Sequence, residues 1–252
     1  MATMTLPLIA VDIGNSTTKL AMFAGVRLAP LPEPLWTHTL VAGESNAELL
    51  GKLPEFACWR VASVHREQQR QFAWWIAEDR PGDRYHCLTH DDLPLEIRVD
   101  SPDHVGLDRL AAAVGANLLR DPGRPAVVVD AGSAVTVDLV TAEGAFAGGV
   151  ILPGFRMSAR ALASADLLPE VLYQTSSEPP PVLGKNTEAA IRSGLFWGTV
   201  GAVREIIAGY AASHPHPQVF VTGGDLARLA PLMSNEAQFV PHLVLAGIVA
   251  GA

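Results

Sequence analysis

One pattern occurs twice in this chain, and it constrains the possible folds more than any other feature. An apolar run leads into an aspartate, a glycine and hydroxyl residues, after which apolar alternation resumes, first from Leu8 and again from Ala126. The aspartates of the two copies, Asp12 and Asp130, are 118 residues apart. A polar glycine turn between two apolar runs is typical of a β-hairpin. Two such hairpins half a chain apart predict a duplicated fold in which the hairpins face each other.

The turns of these hairpins carry residue types that bind phosphate. The first reads Asp12-Ile-Gly-Asn-Ser-Thr-Thr-Lys19 and the second Asp130-Ala-Gly-Ser133, and neither has the spacing of a Walker A loop or a Rossmann fingerprint. Backbone amides and hydroxyls beside a lysine bind polyphosphate oxygens, and an aspartate holds a cation directly or through water. For Asp12 alone an ordinary turn carboxylate is the alternative, but the duplication favours a phosphotransferase.

Composition excludes several partners. Of the 252 residues 49% are hydrophobic and 17% are charged, which is too little charge for a disordered chain. The net charge of -8 provides no general cationic surface, so nucleic acid is not expected as a partner. No run of about 20 apolar residues predicts a membrane span. With two cysteines and no basic leader pattern in residues 1–8, we expect a cytoplasmic protein.

The Pro- and Gly-rich joint Asp121–Pro125 lies between the two copies. We therefore predict an N-terminal domain over 1–118 and a C-terminal domain over 119–252. Further strands are expected at 148–152 and at 219–221, the latter running into the turn Thr222-Gly-Gly-Asp225. Helices are expected over 65–79, 104–119, 186–210 and, after the apolar C-terminal pattern, within 237–252.

An acid and a base stand side by side near the start of the apolar helix predicted over 104–119. A buried-looking helix that carries Asp108 and Arg109 needs a reason. Phosphoryl transfer needs a base for the attacking hydroxyl and a group that binds an anionic substrate, which Asp108 and Arg109 can provide. A salt bridge at the helix start is the alternative.

Two other patterns allow more than one interpretation. Cys87 and His90 have the spacing of one half of a zinc site, but a second pair is missing, so core thiols and surface imidazoles are the expectation. Glycines at 194, 198 and 201 in the predicted helix 186–210 permit close helix approach, either at a subunit contact or within the domain.

Taken in order, the motifs resemble those of the type III pantothenate kinases, members of the acetate and sugar kinase, Hsp70 and actin superfamily. The resemblance extends from residue 8 to about 225. The segments that carry it are Asp12–Lys19, Gly106-Leu-Asp-Arg109, Asp130-Ala-Gly-Ser-Ala134, Gly148-Gly-x-Ile-x-Pro-Gly154, Gly184-Lys-Asn-Thr187-x3-Ile-x2-Gly194 and Thr222-Gly-Gly224.

This resemblance implies an α/β fold of two related ribonuclease H-like domains, the duplication seen in actin-like ATPases, with mixed sheets flanked by helices. It also implies a homodimer. The implied activity is ATP-dependent phosphorylation of the primary hydroxyl of pantothenate to 4'-phosphopantothenate, the first step of coenzyme A biosynthesis. Mg²⁺ would accompany ATP.

The family's site residues carry over by motif. Asp108 would be the proton acceptor, and Asp130 would ligate a monovalent cation, potassium or ammonium. ATP would be bound by Asp12, Ile13, Gly14, Asn15, Ser16, Thr17, Thr18, Lys19 and Ser133, and pantothenate by Val99, Gly106, Leu107, Asp108, Arg109 and Thr187. Two positions depart from the family pattern: Ser133 stands where threonine is usual, and Val99 stands where many members have an aromatic residue.

Two other functions are compatible with parts of the pattern. A kinase or phosphohydrolase of the same superfamily with another substrate would keep the paired hairpins, but it would not need Gly-x-Asp-Arg and Lys-Asn-Thr together. A non-enzymatic nucleotide-binding accessory factor for transcription would not need Asp108 and both phosphate turns.

Overall fold

The computed structural model describes residues 6–24, 31–41, 47–165, 167–172, 178–224 and 230–251. Asp225, the last residue of the predicted turn Thr222-Gly-Gly-Asp225, lies outside them. The chain forms two compact units, one from residues up to Leu119 together with the segment from His242 onward, the other from Arg120 to Pro241. The predicted second domain, 119–252, therefore differs from the second unit in its last segment, which packs with the first unit.

The first unit is built on a five-stranded mixed sheet with the order β3-β2-β1-β4-β5. Antiparallel pairing joins β1 to β2 and β2 to β3, whereas β4 runs parallel to β1, and β5 runs parallel to β4. The elements of this part are β1 (Leu8–Ile13), β2 (Thr17–Phe23), β3 (Trp36–Val41), α1 (Ala47–Leu50), β4 (Cys58–Ser63), α2 (Arg66–Asp79), β5 (Arg84–Cys87) and α3 (Leu107–Leu119).

One face of this sheet forms a core with α2. Alternate residues of β1 and β4, among them Val11 and Trp59, point into it because strand side chains alternate between faces. The indole of Trp59 meets the ring of Phe72 at 5.7 Å and that of Trp75 at 6.0 Å, both edge to face. Trp74 lies on the other side of α2 and is exposed.

The C-terminal helix α7 (Leu243–Ala250) packs in the first unit against α3 and β1. It is apolar on every side, with seven buried residues, so it has to be buried all round. Small residues permit a close crossing: a Cβ at Gly247 would collide with the carbonyl oxygen of Ala111, and one at Gly115 would lie 2.6 Å from that of Leu243.

The second unit repeats this topology. Its sheet has the order β10-β9-β6-β7-β8, with β6, β7 and β8 antiparallel, β9 parallel to β6 and β10 parallel to β9. The duplication predicted from the hairpins is thus confirmed, as is the predicted fold class. The elements are β6 (Ala126–Ala131), β7 (Ala134–Val140), β8 (Phe146–Pro153), α4 (Phe155–Ala163), α5 (Thr187–Ser213), β9 (Gln218–Gly223), α6 (Ala230–Met233) and β10 (Gln238–Phe239).

The long helix α5 covers one face of the second sheet. Its buried Phe196, Val200 and Val203 pack with Val129 of β6 and Val221 of β9. A Cβ added to the glycines at 194, 198 or 201 would meet nothing within 4 Å, so within the described chain these glycines are not sites of close packing.

Three predicted helices differ from the structure at their ends. The helix expected from 104 starts at Leu107, after a 3-10 turn at Pro102–His104. The helix expected within 237–252 is confined to α7, because Pro241 precludes a continuous helix through that region. Helix α5 continues three residues beyond Tyr210. Among the residues that the structure describes, no helix is long and apolar enough to cross a bilayer.

Candidate active site

The first hairpin has a three-residue turn, Gly14 to Ser16, with the Gly14 amide donating to the Thr17 carbonyl at 3.0 Å. Asn15 and Ser16 are exposed at its tip, so a ligand can reach this turn from solvent. A Cβ at Gly14 would lie 3.2 Å from the Thr17 oxygen, so a side chain there would require that carbonyl to shift by a few tenths of an ångström.

Behind the tip, Asp12 of β1 is directly opposite Lys19 of β2, so both side chains project from one face of the sheet. Both are half-buried, as are Thr17 and Thr18. Ile13 differs, because its side chain is buried in the core and only its backbone remains for a ligand.

The segment Gly106–Arg109 reaches the same edge of the first sheet as this hairpin. The link is Val64, immediately after β4: its amide donates to the Ile13 carbonyl at 3.0 Å, and its Cγ1 lies 3.4 Å from where a Gly106 Cβ would be. Sequence reasoning missed Val64. The available signal was that β1 and β4 are parallel apolar strands, whose carboxyl ends meet at one sheet edge.

Asp108 and Arg109 lie in the first turn of α3 and are half-buried, as is Leu107. The Arg109 amide donates to Asp108 Oδ1 at 2.8 Å and also to the Gly106 carbonyl at 3.1 Å. A Cβ at Gly106 would lie only 2.5 Å from Asp108 Oδ1. The missing side chain at Gly106 therefore leaves the space that the Asp108 carboxylate occupies.

Val99 lies in the segment between β5 and α3 and is half-buried. Its neighbour Arg98 is exposed and pairs with Glu96 through two hydrogen bonds of 2.8 Å.

The second hairpin has a tighter turn, Gly132-Ser133, in which the Gly132 amide donates to the Ala134 carbonyl at 3.0 Å. Ser133 is exposed. Gly154, the N-cap of α4, packs directly on this turn: its amide donates to the Ser133 carbonyl at 3.2 Å, and a Cβ there would lie 2.6 Å from the Gly132 carbonyl oxygen.

Asp130 occupies in the second hairpin the position that Asp12 has in the first, but its cross-strand neighbours are threonines, whereas Asp12 lies opposite Lys19. It is directly opposite Thr136 of β7 and in register with Thr222 of β9, so the three side chains project from one face of the second sheet. Thr222 is 2% exposed, and the Asp130 Oδ1 atom is buried. Carboxylate and hydroxyl oxygens are the donors that hard cations prefer. Asp130 therefore stands among oxygen atoms suited to a cation.

Thr187 lies apart from this oxygen group. It is the exposed first residue of α5, where the Asn186 side chain caps the helix by accepting from the Ala189 amide at 2.8 Å. Helix α5 packs on the face of the second sheet opposite to the Asp130 side chain. A Cβ at Gly184 would collide with backbone atoms of Ala190, so the preceding segment lies directly on the helix start.

Comparison with known proteins provides independent information. A family model described as type III pantothenate kinase matches residues 8–209. A type III pantothenate kinase from Rhodopirellula baltica is 33% identical, with the match covering 94% of this chain and 95% of the relative. One from Herminiimonas arsenicoxydans is 42% identical over 84% of this chain and 76% of the relative.

Among solved structures, a protein described as a Baf family transcriptional activator from Campylobacter jejuni is similar, with a TM-score of 0.60. Its sequence is 20% identical, and the match covers 95% of this chain and 94% of that one. At this identity the likeness shows a shared fold alone.

Proposed function

The chain belongs to the type III pantothenate kinase family, and from this we infer how its own residues transfer a phosphoryl group from ATP to pantothenate in coenzyme A biosynthesis. The observation that supports the assignment of roles is the meeting of the first phosphate turn and the Gly106–Arg109 segment at one sheet edge, through Val64. An alcohol acceptor and a phosphate donor have to meet in this way.

Asp108 is the proposed general base. Its carboxylate takes the proton of pantothenate's primary hydroxyl as that oxygen forms a bond to the γ-phosphorus and the bond from the γ-phosphorus to ADP breaks. The Arg109 amide holds Oδ1 at 2.8 Å, which leaves Oδ2 for the substrate. Arg109, with its fork of donors, suits the carboxylate of pantothenate. Leu107, Val99 and Thr187 are proposed to complete the contacts to pantothenate.

The first turn is proposed to bind the ATP phosphates. The exposed residues Asn15 and Ser16 are proposed to donate hydrogen bonds to phosphate oxygens, as are the hydroxyls of Thr17 and Thr18, and Lys19 offers a positive charge. Ser133 is proposed to contact ATP through its exposed hydroxyl. Kinases use ATP with a divalent metal ion, and the half-buried Asp12 would hold Mg²⁺ through water.

Asp130 is the proposed ligand of potassium or ammonium. The Asp130 carboxylate and the Thr136 and Thr222 hydroxyls fit such an ion, because they project from one face and offer only oxygen donors. A cation there would lower the negative potential around the phosphates of ATP. Turnover that is unchanged when sodium replaces potassium would contradict this assignment.

Two further proposals concern the setting of the enzyme. A homodimer is supported by the glycines along α5, which face open space, and by exposed apolar side chains such as Leu167, Val182 and Leu183. Light scattering during size exclusion tests it, and a monomer mass would refute it. We also propose that the enzyme works in the cytoplasm, where both cysteines, Cys58 and Cys87, stay free as they are in the structure.

The test of the activity is ADP release in a coupled assay with pantothenate, potassium and Mg-ATP, repeated with Asp108→Asn. We expect pantothenate-dependent turnover in the parent and a loss of about a hundredfold or more in the variant, since a general base is removed. ATP binding should survive in the variant. A parent without pantothenate-dependent turnover contradicts the function, and a variant with full turnover removes Asp108 from the mechanism.

A further inference from the structure

The His90 side chain makes a hydrogen bond across the segment that carries Val99 and leads to Gly106. His90 Nε2 and the Val105 carbonyl oxygen are 2.9 Å apart across 15 residues of sequence. A carbonyl oxygen only accepts, so the ring donates through Nε2–H. Val105 is buried and immediately precedes Gly106. We call this hydrogen bond the His90 clasp.

The His90 end of the clasp is held firmly. Its 3-10 turn, His90–Asp92, has a capping box in which the Thr89 amide and hydroxyl donate to Asp92 Oδ2 at 2.6 and 2.7 Å. The other Asp92 oxygen lies 3.1 Å from His86 Nε2. The Thr89 bonds close the turn on itself, and the His86 contact connects it to β5.

The C-terminus of the first unit also supports this turn. A Cβ at Gly251 would lie 2.8 Å from Leu93 Cδ2 and 3.2 Å from the Asp92 carbonyl oxygen. The Arg60 guanidinium donates to the Val249 carbonyl and, at 2.7 Å, to that of Gly251. Arg60 is half-buried, and burial lowers its pKa from the ordinary value. The clasp therefore connects this turn, which makes several contacts within the first unit, to the segment that leads to Gly106.

The carbonyl at the other end is one residue from the proposed substrate contacts. Gly106 places the Asp108 carboxylate, and its carbonyl accepts from the Arg109 amide at 3.1 Å. A shift of Val105 would move these groups with it, because the peptide chain between them is short. Val99, on the loop that the clasp closes, would move as well.

We propose that His90 is a positioning residue for pantothenate: the clasp fixes both the loop with Val99 and the start of the Gly106–Arg109 segment. This proposal rests on the proposed function of that segment. His90 does not touch the substrate in this scheme and acts only through Val105. Removing the donor leaves the carbonyl of a buried residue without its imidazole and frees the loop.

The test compares three variants with the parent. His90→Leu removes the donor, His90→Gln retains an N–H at a similar reach, and His104→Leu makes the same change at an exposed histidine of the same segment. We expect His90→Leu to raise the KM for pantothenate about tenfold, the loss for one hydrogen bond of this kind, with the KM for ATP within about twofold. His90→Gln should recover most of the loss, and His104→Leu should match the parent.

If His90 were merely structural, its replacement would lower the melting temperature without raising the KM for pantothenate more than the KM for ATP. Equal losses for ATP and pantothenate, an unchanged KM in His90→Leu, or an equal effect of His104→Leu would overturn the proposal. Failure of the glutamine variant to recover any affinity for pantothenate would also count against a donor role.

Hydrogen exchange on the ligand-free protein separates this proposal from the proposed function. In His90→Leu the amides of residues 95–101 and 103–105 should exchange about tenfold faster than in the parent, while those of 110–118 in α3 stay unchanged. If the parent lacks pantothenate-dependent turnover, the proposed function and the substrate role of the clasp both fail, yet faster exchange still supports the clasp itself. Unchanged exchange in residues 95–101 and 103–105 means that His90 does not hold the loop.

Discussion

Replacing Gly106 with alanine adds one methyl group at the point where the structure leaves least room. The new Cβ would lie 2.5 Å from Asp108 Oδ1, whereas real Cβ contacts below 3.0 Å essentially do not occur. The oxygen must therefore move by at least about 0.5 Å, the difference of the two distances. Its hydrogen bond from the Arg109 amide, at 2.8 Å, would be stretched or lost.

Such a shift is large for Asp108 in its proposed role as general base. A misplacement of about 1 Å can cost roughly a hundredfold in rate, so a movement of half that size predicts a fall in kcat of roughly ten- to a hundredfold. The coupled ADP-release assay at saturating ATP and pantothenate measures it. Gly106 does not have the positive φ that would make alanine strained, so a loss of stability should be small.

Two comparisons make the reasoning refutable. Gly209→Ala adds a methyl group where nothing lies within 4 Å, and it should leave kcat unchanged. In a double-mutant cycle, Gly106→Ala should add little to Asp108→Asn, because the methyl group acts through the carboxylate. A folded Gly106→Ala with full kcat, or losses that multiply in the double variant, would refute the displacement of Asp108 as the cause.

Three predictions concern stability and are measured by urea unfolding. Gly247→Ala should lower the free energy of unfolding by about 2 kcal/mol or more, since the added methyl group meets the Ala111 backbone and forces α7 away from α3. An unchanged urea midpoint would contradict this. Asp83→Ala should lower the free energy of unfolding by about 3 kcal/mol. The Asp83 carboxylate is 1% exposed and accepts from the Trp59 indole, the Arg80 guanidinium and the Ala57 amide, and its removal leaves these donors without their partner. A loss below about 1 kcal/mol would be inconsistent with that network. Hydrogen bonds from Thr89 hold the pKa of Asp92 below its usual value in the folded protein. The contribution of Asp92 to stability is therefore complete above its unfolded pKa of about 3.9 and is lost as pH falls through its lower pKa in the folded state. The gap between the parent and Asp92→Asn should thus be wide at pH 7 and shrink toward pH 3, and a constant gap would argue against it.

The hairpins were predictable because their signal is local. Apolar alternation on both sides of a polar glycine turn specifies strand, turn and strand within about 15 residues, whatever the rest of the chain does. The duplication followed from comparing Asp12 and its surroundings with Asp130. The signal for the start of α2 is also local, since His65 caps this helix by accepting a hydrogen bond from the Gln68 amide at 3.2 Å.

What the sequence could not reveal depends on contacts between distant residues. The C-terminal helix is apolar on every side, and that pattern does not indicate that it packs on α3 and not on the second unit, which directly precedes it in the sequence. The His90 clasp spans 15 residues without a repeating pattern. To predict the clash between an added Gly106 side chain and Asp108, one must know the helix start to within one residue, and the predicted start at 104 was three residues early.

The two hairpins share a topology, but their aspartates have diverged in surroundings. Asp12 stands opposite Lys19, and its turn exposes Asn15 and Ser16, an arrangement that combines positive charge with exposed polar residues. Asp130 is paired in register with two threonines and lies behind a turn on which Gly154 packs.

A phosphate anion needs donors and positive charge, whereas a cation needs oxygen atoms held in place. In the proposed scheme the same backbone therefore binds opposite ligands in its two copies, and the residue across the hairpin, Lys19 or Thr136, sets which ligand is bound. If so, Lys19→Thr should weaken ATP binding without changing the dependence on potassium, and Thr136→Val should do the reverse. Equal sensitivity of both variants to both ligands would mean that the copies had not divided these roles.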